Sequence, residues 1–325
     1  MLVQIIKNWD SPDLLRQTPN SIGKWNGIRF TLDEVKECDY VVVLNYLPRN
    51  IKVVCPKRNI IAIMQEPYLP GISDWMVEGH RQFNRVYTHH PPNPLKQRSN
   101  TQYKPSQPAL PWHVDRTFDE LLNCPVPTKD HELSWITSNL QGYPGHIKRM
   151  EFLQSIQESK QVEVELFGRG IRFIKDKWDG LAPYRYSLAV ENAQGPDWWT
   201  EKVGDCFLAY TVPFYYGCTN LEKYFPSGSF VRLDINNPNR AIEIIQDTIR
   251  NDEWIHRLPY LREARELVLK KYQLFPFLTE LIGNEAGRGK RRRIHLKSYA
   301  TLSTRVTLRT HLYRMKRKLV SCLKK

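Results

Sequence analysis

The sequence predicts an α/β protein with two parallel-sheet layers, on three observations. Short β-branched runs alternate with segments of helical spacing, the pattern that parallel strands joined by crossover helices produce. The chain has 325 residues, enough for two ordinary domains with real cores. One Pro-rich stretch, "HPPNPLKQRSNTQYKPSQPALPWHV", breaks all periodicity between an earlier and a later set of strands. An apolar content of 41% and a charged content of 25% belong to a soluble globular chain. No apolar run approaches the roughly 20 residues that a membrane-spanning helix needs.

The elements follow in order. "MLVQIIKNWDSPD" holds a short apolar stretch with no basic lead and no small-residue cleavage site. It reads as a first strand and not as an export signal. "VVVLNY" (41–46), "NIIAIM" (59–64) and "RVYTHH" (85–90) are the strands of the first layer. Pattern resumes after the Pro-rich stretch at "ELSWITSN" (132–139), a strand ending in polar turn residues. In "HIKRMEFLQSIQ", apolar Ile147, Met150, Leu153 and Ile156 fall at helical spacing. "VEVELFG" alternates as a strand ending at Gly168. There follow the strand "YRYSLAV", the helix "WWTEKVGDCFLAY" and the strands "TVPFYYG" and "SFVRLDI". Helices fill 238–252 and 254–283, and no internal repeat is present. The domain reading is 1–125, 126–285 and a tail at 286–325, with the joint near 115–131.

Six cysteines (Cys38, Cys55, Cys124, Cys206, Cys218, Cys322) are widely spaced, with no C-x-x-C pair, so they read as free thiols in a reducing compartment. The net charge of +14 sits at one end. Residues 288–325 carry 14 Lys and Arg and no acid, which leaves 34 basic and 34 acidic residues over 1–287. Basicity therefore belongs to the tail.

The stretch "YSLAVENAQGPDWWTEK" (186–202) carries the chemistry. In open α/β sheets, ligands sit beyond the carboxyl ends of the strands. An apolar strand ends there in Glu191-Asn192, and a turn leads to a helix start with Lys202 in its first turn. Helix N-termini favour anions and disfavour cations, so a lysine in that place suggests an anionic ligand. Glu201 beside it could accept hydrogen bonds from ribose hydroxyls. A solvated helix start and an ordinary turn are the plainer reading of the same residues.

The longer run "YSLAVENAQGPDWWTEKVGDCFLAYTVPFYYGCTNLEKYFPSGSFVRLDI" resembles the donor-binding region of family 10 glycosyltransferases, the α-1,3/1,4-fucosyltransferases. That family shows F-E-N-(S/T/A)-Q, an aromatic residue, T-E-K, a helix, then G-T-V-P-(I/V)-x-x-G and F-x-P-x-x-S-F-(I/V). The resemblance implies a GT-B-like fold, with two Rossmann-like domains facing across a cleft, plus the basic amphipathic helix of the tail. It implies donor-binding roles for Asn192, Thr200, Glu201 and Lys202, with Lys202 on the diphosphate and Glu201 on the ribose. Trp198 stands where many relatives have Tyr. In "TSNLQGYPGHIKRMEFL", Arg149 matches the family's diphosphate-facing arginine, a group suited to phosphate through paired hydrogen bonds; on the residues alone it reads as a surface charge.

The family's catalytic base is an acid in an E-x-P-like turn after an apolar strand. "NIIAIMQEPYLPG" offers Glu66, although many relatives have the acid where Gln65 stands. Asp74, His89 and His90 are the alternatives. No D-x-D metal motif occurs in the donor-domain segment, where "DKWD" (176–179) lacks that spacing, so no metal ligand and no obligatory cofactor are expected, with a divalent cation at most stimulatory. "GRGIRFIKDK" reads either as a loop over the donor or as ordinary turns. The implied activity is inverting transfer of L-fucose from GDP-fucose to a saccharide hydroxyl; a relative using another GDP-sugar is the near alternative. In the tail, Leu308, Leu312, Met315, Leu319 and Leu323 form a one-sided stripe among basic residues, the pattern of a helix lying on an anionic membrane surface. Docking on the protein's own body, disorder, and a nucleic-acid-binding protein driven by "GKRRR" are the competing readings. The preferred expectation is a cytoplasmic enzyme, peripheral on the inner membrane face, with an oligosaccharide or lipid-linked glycan as acceptor.

Overall fold

The β-branched runs become the strands of two separate parallel sheets in the computed structural model, which describes residues 1–69, 75–91, 100–283 and 289–302. One unit comprises Met1–Ser11, Gly23–Pro108 and Thr279–Lys325, and the other comprises Pro12–Ile22 and Ala109–Leu278.

The first unit contains β1 (Leu2–Ile6), β2 (Lys24–Trp25), β3 (Ile28–Thr31), β4 (Tyr40–Leu44), β5 (Ile51–Pro56), β6 (Ile60–Ile63), β7 (Arg85–Thr88) and β8 (Gln102–Pro105), with a short helix α1 (Trp75–Gly79). Seven strands form one sheet in the order β2-β3-β1-β4-β6-β7-β8, parallel except for the β2–β3 pair. Every residue of β4 and β6 is buried, as central strands covered on both faces require. The strand β8 lies inside the Pro-rich stretch, where periodicity predicts none. It is an edge strand, and an edge tolerates Pro105 because one row of its N–H groups has no ladder to join.

β5 pairs antiparallel with a strand at Arg291–Leu296. Ile294 and Leu296 pack there against the core beside Val53 and Cys55, while Arg291 bonds Glu37 and Asp39. The start of the basic C-terminal region is thus built into a sheet. The Leu308–Leu323 stripe and Cys322 lie outside the described residues, and the five described cysteines are free thiols.

The second unit holds β9 (His131–Ile136), β10 (Glu165–Phe167), β11 (Tyr184–Gly195), β12 (Val212–Cys218) and β13 (Val231–Arg232), all parallel, in the order β10-β9-β11-β12-β13. Its helices include α2 (Phe118–Asn123), α3 (Pro144–Ser159), α4 (Glu201–Leu208), α5 (Pro238–Arg250) and α6 (Glu253–Leu267). The predicted stripe on α3 is turned: Ile147 is exposed, and the buried residues are Arg149, Phe152 and Ile156. The predicted single helix over 254–283 is broken. After α6 comes a wide turn at Val268–Tyr272, then extended Gln273, then α7 (Leu274–Gly283). Pro276 in a continuous helix interior would remove a backbone hydrogen bond and crowd the preceding turn, whereas the first turn of a new helix accepts it at no such cost. Gln273 starts that turn by accepting the Phe275 N–H on its side-chain oxygen at 3.0 Å.

Candidate functional site

Taken in chain order, the second unit's strands run 2-1-3-4-5, a doubly wound order whose direction reverses between β9 and β11. Ligands of such sheets sit outside the carboxyl ends of the strands at that reversal. β9 leads there to Ser138, and β11 carries Glu191 and Asn192 toward its end. The Arg149 guanidinium joins the two strand ends: it donates to Asn192 Oδ1 at 2.5 Å and to the Ser138 hydroxyl at 3.3 Å. Burial lowers the Arg149 pKa and the nearby Glu191 carboxylate opposes that shift. A guanidinium nonetheless remains charged in proteins.

Two glycines allow the close approach. A Cβ on Gly145, in the first turn of α3, would lie 1.6 Å from the Asn192 carbonyl oxygen. One on Gly217 of β12 would lie 2.4 Å from Glu191 Cγ. No larger residue fits either place without moving backbone or the buried acid.

Glu191 is the centre of the arrangement. Its side chain is wholly buried, and its carboxylate accepts the Thr200 N–H at 2.8 Å, the Thr200 hydroxyl at 2.7–2.8 Å and Lys202 Nζ at 3.1 Å. Burial raises the Glu191 pKa against the pull of Lys202. Thr200 is also the N-cap of α4, accepting the Lys202 N–H at 3.2 Å. That placement explains the sequence pattern: a Thr at the helix start caps it, and the acid at the strand end holds the cap.

A second layer of charge adjoins the first. Glu201 Oε1 lies 3.5 Å from Lys202 Nζ and 3.4 Å from Lys177 Nζ. Burial would raise the Glu201 pKa, but the two lysines outweigh it and hold the carboxyl well below its ordinary value. Lys177 also bonds Asp205 Oδ2 at 3.2 Å, and Asp205 accepts the His113 N–H at 2.8 Å. The His113 ring nitrogen is 3.9 Å from Glu201; burial lowers its pKa more than Glu201 raises it. A cavity of about 20 Å³, room for roughly one water, is lined by Lys177, Lys202, Asp205, Cys206 and Ser187 among others.

The structure therefore brings Arg149, Asn192, Thr200, Glu201 and Lys202 together around Glu191. Trp198 is buried in the turn before α4. Its neighbour Asp197, at φ 57°, is tied down by Asn220, Lys223 and Tyr224. Lys177, Asp205 and His113 were not singled out from the sequence. The signal for Lys177 and Asp205 lies in their polar character inside otherwise apolar surroundings, which shows only once the fold is known.

Glu66 belongs to the first unit, where it follows β6 and is exposed. Its backbone N–H and that of Gln65 are both received by Asn45 Oδ1, at 3.0 and 2.7 Å. The ring nitrogens of His89 and His90 bond the Glu66 carbonyl oxygen at 3.1 and 2.8 Å. Both histidines thus shape the turn that presents Glu66. Asp74 lies outside the described residues. Among the described residues no group of three or more His, Cys, Asp or Glu could hold a metal ion, and no helix is long and apolar enough to cross a membrane. In "GRGIRFIKDK", Gly168 and Gly170 take positive φ, Asn139 packs against Gly170, and Phe173 is 84% exposed.

Residues 126–262 match the family described as glycosyltransferase family 10 (fucosyltransferase) C-term. The chain is 28% identical over 134 residues to the human 4-galactosyl-N-acetylglucosaminide 3-alpha-L-fucosyltransferase 9, covering 39% of this chain and 36% of that protein. It is 36% identical over 74 residues to the Helicobacter pylori alpha-(1,3)-fucosyltransferase FucT, covering 22% of this chain and 16% of that one. The chain thus spans about a third of the length of the mammalian relatives it matches. Among solved structures, it is similar to a trehalose-6-phosphate protein from E. coli bound with UDP-2-fluoro glucose, with a TM-score of 0.51 at 7% identity, over 79% of this chain and 75% of that one. The two parallel-sheet units are of the GT-B type.

Proposed function

From the place of residues 126–262 in glycosyltransferase family 10, we propose that this chain transfers L-fucose from GDP-fucose to a saccharide hydroxyl with inversion. The observation that carries the reading is the cluster at the strand reversal, where Arg149 and Lys202 stand beside Asn192, Glu201 and the start of α4. In the transfer, the acceptor hydroxyl attacks the sugar's anomeric carbon as the bond to the diphosphate breaks. Charge develops on the leaving diphosphate, and fixed cations and helix N–H groups stabilise it most where they are already in place. Lys202 and Arg149 supply that charge, and Glu201 accepts the ribose hydroxyls. Glu66 takes the proton from the attacking hydroxyl. No metal is obligatory in this scheme, because the leaving group is neutralised by side chains. The acceptor is a surface glycan, lipid-linked in the fullest form of the proposal, with the basic tail on the anionic membrane face.

Calorimetry tests the reading. The protein should bind GDP, and Lys202→Ala and Arg149→Ala should each weaken binding by about 1.5–3 kcal/mol, the range for a hydrogen bond to a charged group. Unchanged GDP affinity in both folded variants would remove the pocket from this site.

A further inference from the structure

We propose that Lys177 is a positioning residue for the donor's ribose: clamped between Asp205 and Glu201, it fixes the carboxylate that receives the ribose hydroxyls. The inference rests on the donor-site reading above. It adds a residue to that site and gives the paired acid a role.

Lys177 begins the short helix Lys177–Gly180, and that helix is pinned from several sides. Asp176 caps it by accepting the Trp178 N–H at 2.9 Å. The same carboxylate accepts the Asp115 N–H at 2.8 Å and bonds the Arg116 guanidinium at 3.0 Å. The lysine is thus delivered from a fixed base. Its ammonium then reaches two carboxylates, Asp205 at 3.2 Å and Glu201 at 3.4 Å. Asp205 is 1% exposed and is itself oriented by the His113 N–H. Asp205 and Glu201 lie four residues apart on α4, one turn of helix, so they share a face and Lys177 bridges them.

The geometry separates the tasks of the two lysines. Lys202 contacts Glu191, Thr200 and Glu201, at the helix start where a diphosphate would lie. Lys177 reaches the same Glu201 oxygen, Oε1, as Lys202 does, and its other bond goes to Asp205, one turn further along α4. A carboxylate with one lysine could swing toward it. With Oε1 held by two lysines that come from different elements, it keeps a single orientation, and a hydrogen-bond acceptor fixed in advance loses less entropy when the ribose binds.

The test compares two probes, GDP and 2′,3′-dideoxy-GDP, by calorimetry on the full chain. The wild type should prefer GDP, because only GDP offers hydroxyls to Glu201. Lys177→Met should weaken GDP by about tenfold, the loss of one charged hydrogen bond's worth of orientation, and should leave dideoxy-GDP nearly unchanged. Lys177→Arg keeps the bridging charge and should restore most of the preference. Asp205→Asn, nearly isosteric and still able to accept the His113 N–H, should lower the preference in the same direction; it serves if Lys177→Met fails to fold. If folded variants lose both probes equally, Lys177 acts on the diphosphate or the fold and the inference is overturned. Unchanged affinity for both probes overturns it too. A wild type that binds both alike removes Glu201 from the ribose and takes this inference with it. A wild type that binds neither refutes the donor reading itself.

Discussion

Thr200→Val removes one hydroxyl from the centre of the site while keeping its shape, and the structure sets the size of the effect. The Thr200 hydroxyl sits 2.7–2.8 Å from both oxygens of the buried Glu191 carboxylate and 3.2 Å from the Lys202 N–H. It therefore donates to the acid and caps α4 at once. Loss of an N-cap costs about 1 kcal/mol, and loss of a hydrogen bond to a buried charged group costs roughly 1.5–3 kcal/mol. The Thr200 backbone N–H still reaches Glu191 at 2.8 Å, so the carboxylate keeps one partner there besides Lys202. Allowing for overlap, the variant should be destabilised by about 2–4 kcal/mol. Equilibrium urea unfolding followed by tryptophan fluorescence measures this, with Thr200→Ser as the control that retains the hydroxyl. GDP affinity should fall as well, because Lys202 loses a tether at 3.3 Å. If the Val variant unfolds within about 0.5 kcal/mol of wild type, or if Ser is as damaging as Val, the hydroxyl does not hold the site together and the account of Glu191 is wrong.

Three further outcomes are expected. Gly145→Ala places a methyl 1.6 Å from the Asn192 carbonyl, so α3 must move away from β11; the cost should be about 1–3 kcal/mol or more, read as a fall in melting temperature with weaker GDP binding, and a wild-type melt would refute it. Glu66→Gln should preserve GDP affinity while lowering turnover by roughly 10²-fold; near-wild-type turnover with saturating donor would move the base elsewhere. Burial pulls the Lys129 pKa down from 10.5 to about 7 in the folded protein. Above about pH 7 the unfolded chain then keeps a proton that the folded chain has lost, so stability should rise toward pH 10 by at most about 1.4 kcal/mol per pH unit. Denaturation at pH 7 and pH 9 should show that slope in wild type and a flatter one in Lys129→Met; equal slopes would exclude the shift.

What the sequence disclosed follows from how locally each feature is encoded. β4 and β6 were legible because a strand covered on both faces must be apolar along its whole length, a signal contained in four or five residues, whereas β9 and β11 showed themselves through shorter apolar runs beside polar strand ends. β8 was hidden, since an edge strand needs no such run and its Pro105 argued against it. Arg291–Leu296 was hidden for a related reason: its pairing with β5 is set by residues more than 230 positions away. On α3, periodicity counted Ile147 as core and Arg149 as surface, and the fold reverses both. Apolar spacing cannot reveal a helix face that buries a guanidinium. The cluster of Arg149, Asn192, Thr200, Glu201 and Lys202 was legible through its motif, whereas Lys177 and Asp205 could be joined to it only by distances.

The charges of the cluster show why these residues act as a unit. Lys177 and Lys202 alternate with Asp205, Glu201 and Glu191 along a chain of contacts, and Arg149, bonded to Asn192 and Ser138, adds a third cation close enough to feel the Glu191 carboxylate. Each buried charge is costly by itself and tolerable only with its partner. The balance lets two lysines be held in fixed orientation before any anion arrives, which is the preorganisation that the proposed departure of a diphosphate would require. It also means that no single substitution reports one residue's worth. Lys202→Ala deletes the proposed phosphate contact and also leaves Glu191 without its lysine partner. Pairing it with Glu191→Gln removes that second penalty, so the double variant should lose less stability than the two single losses added together, while GDP affinity stays as low as in Lys202→Ala alone.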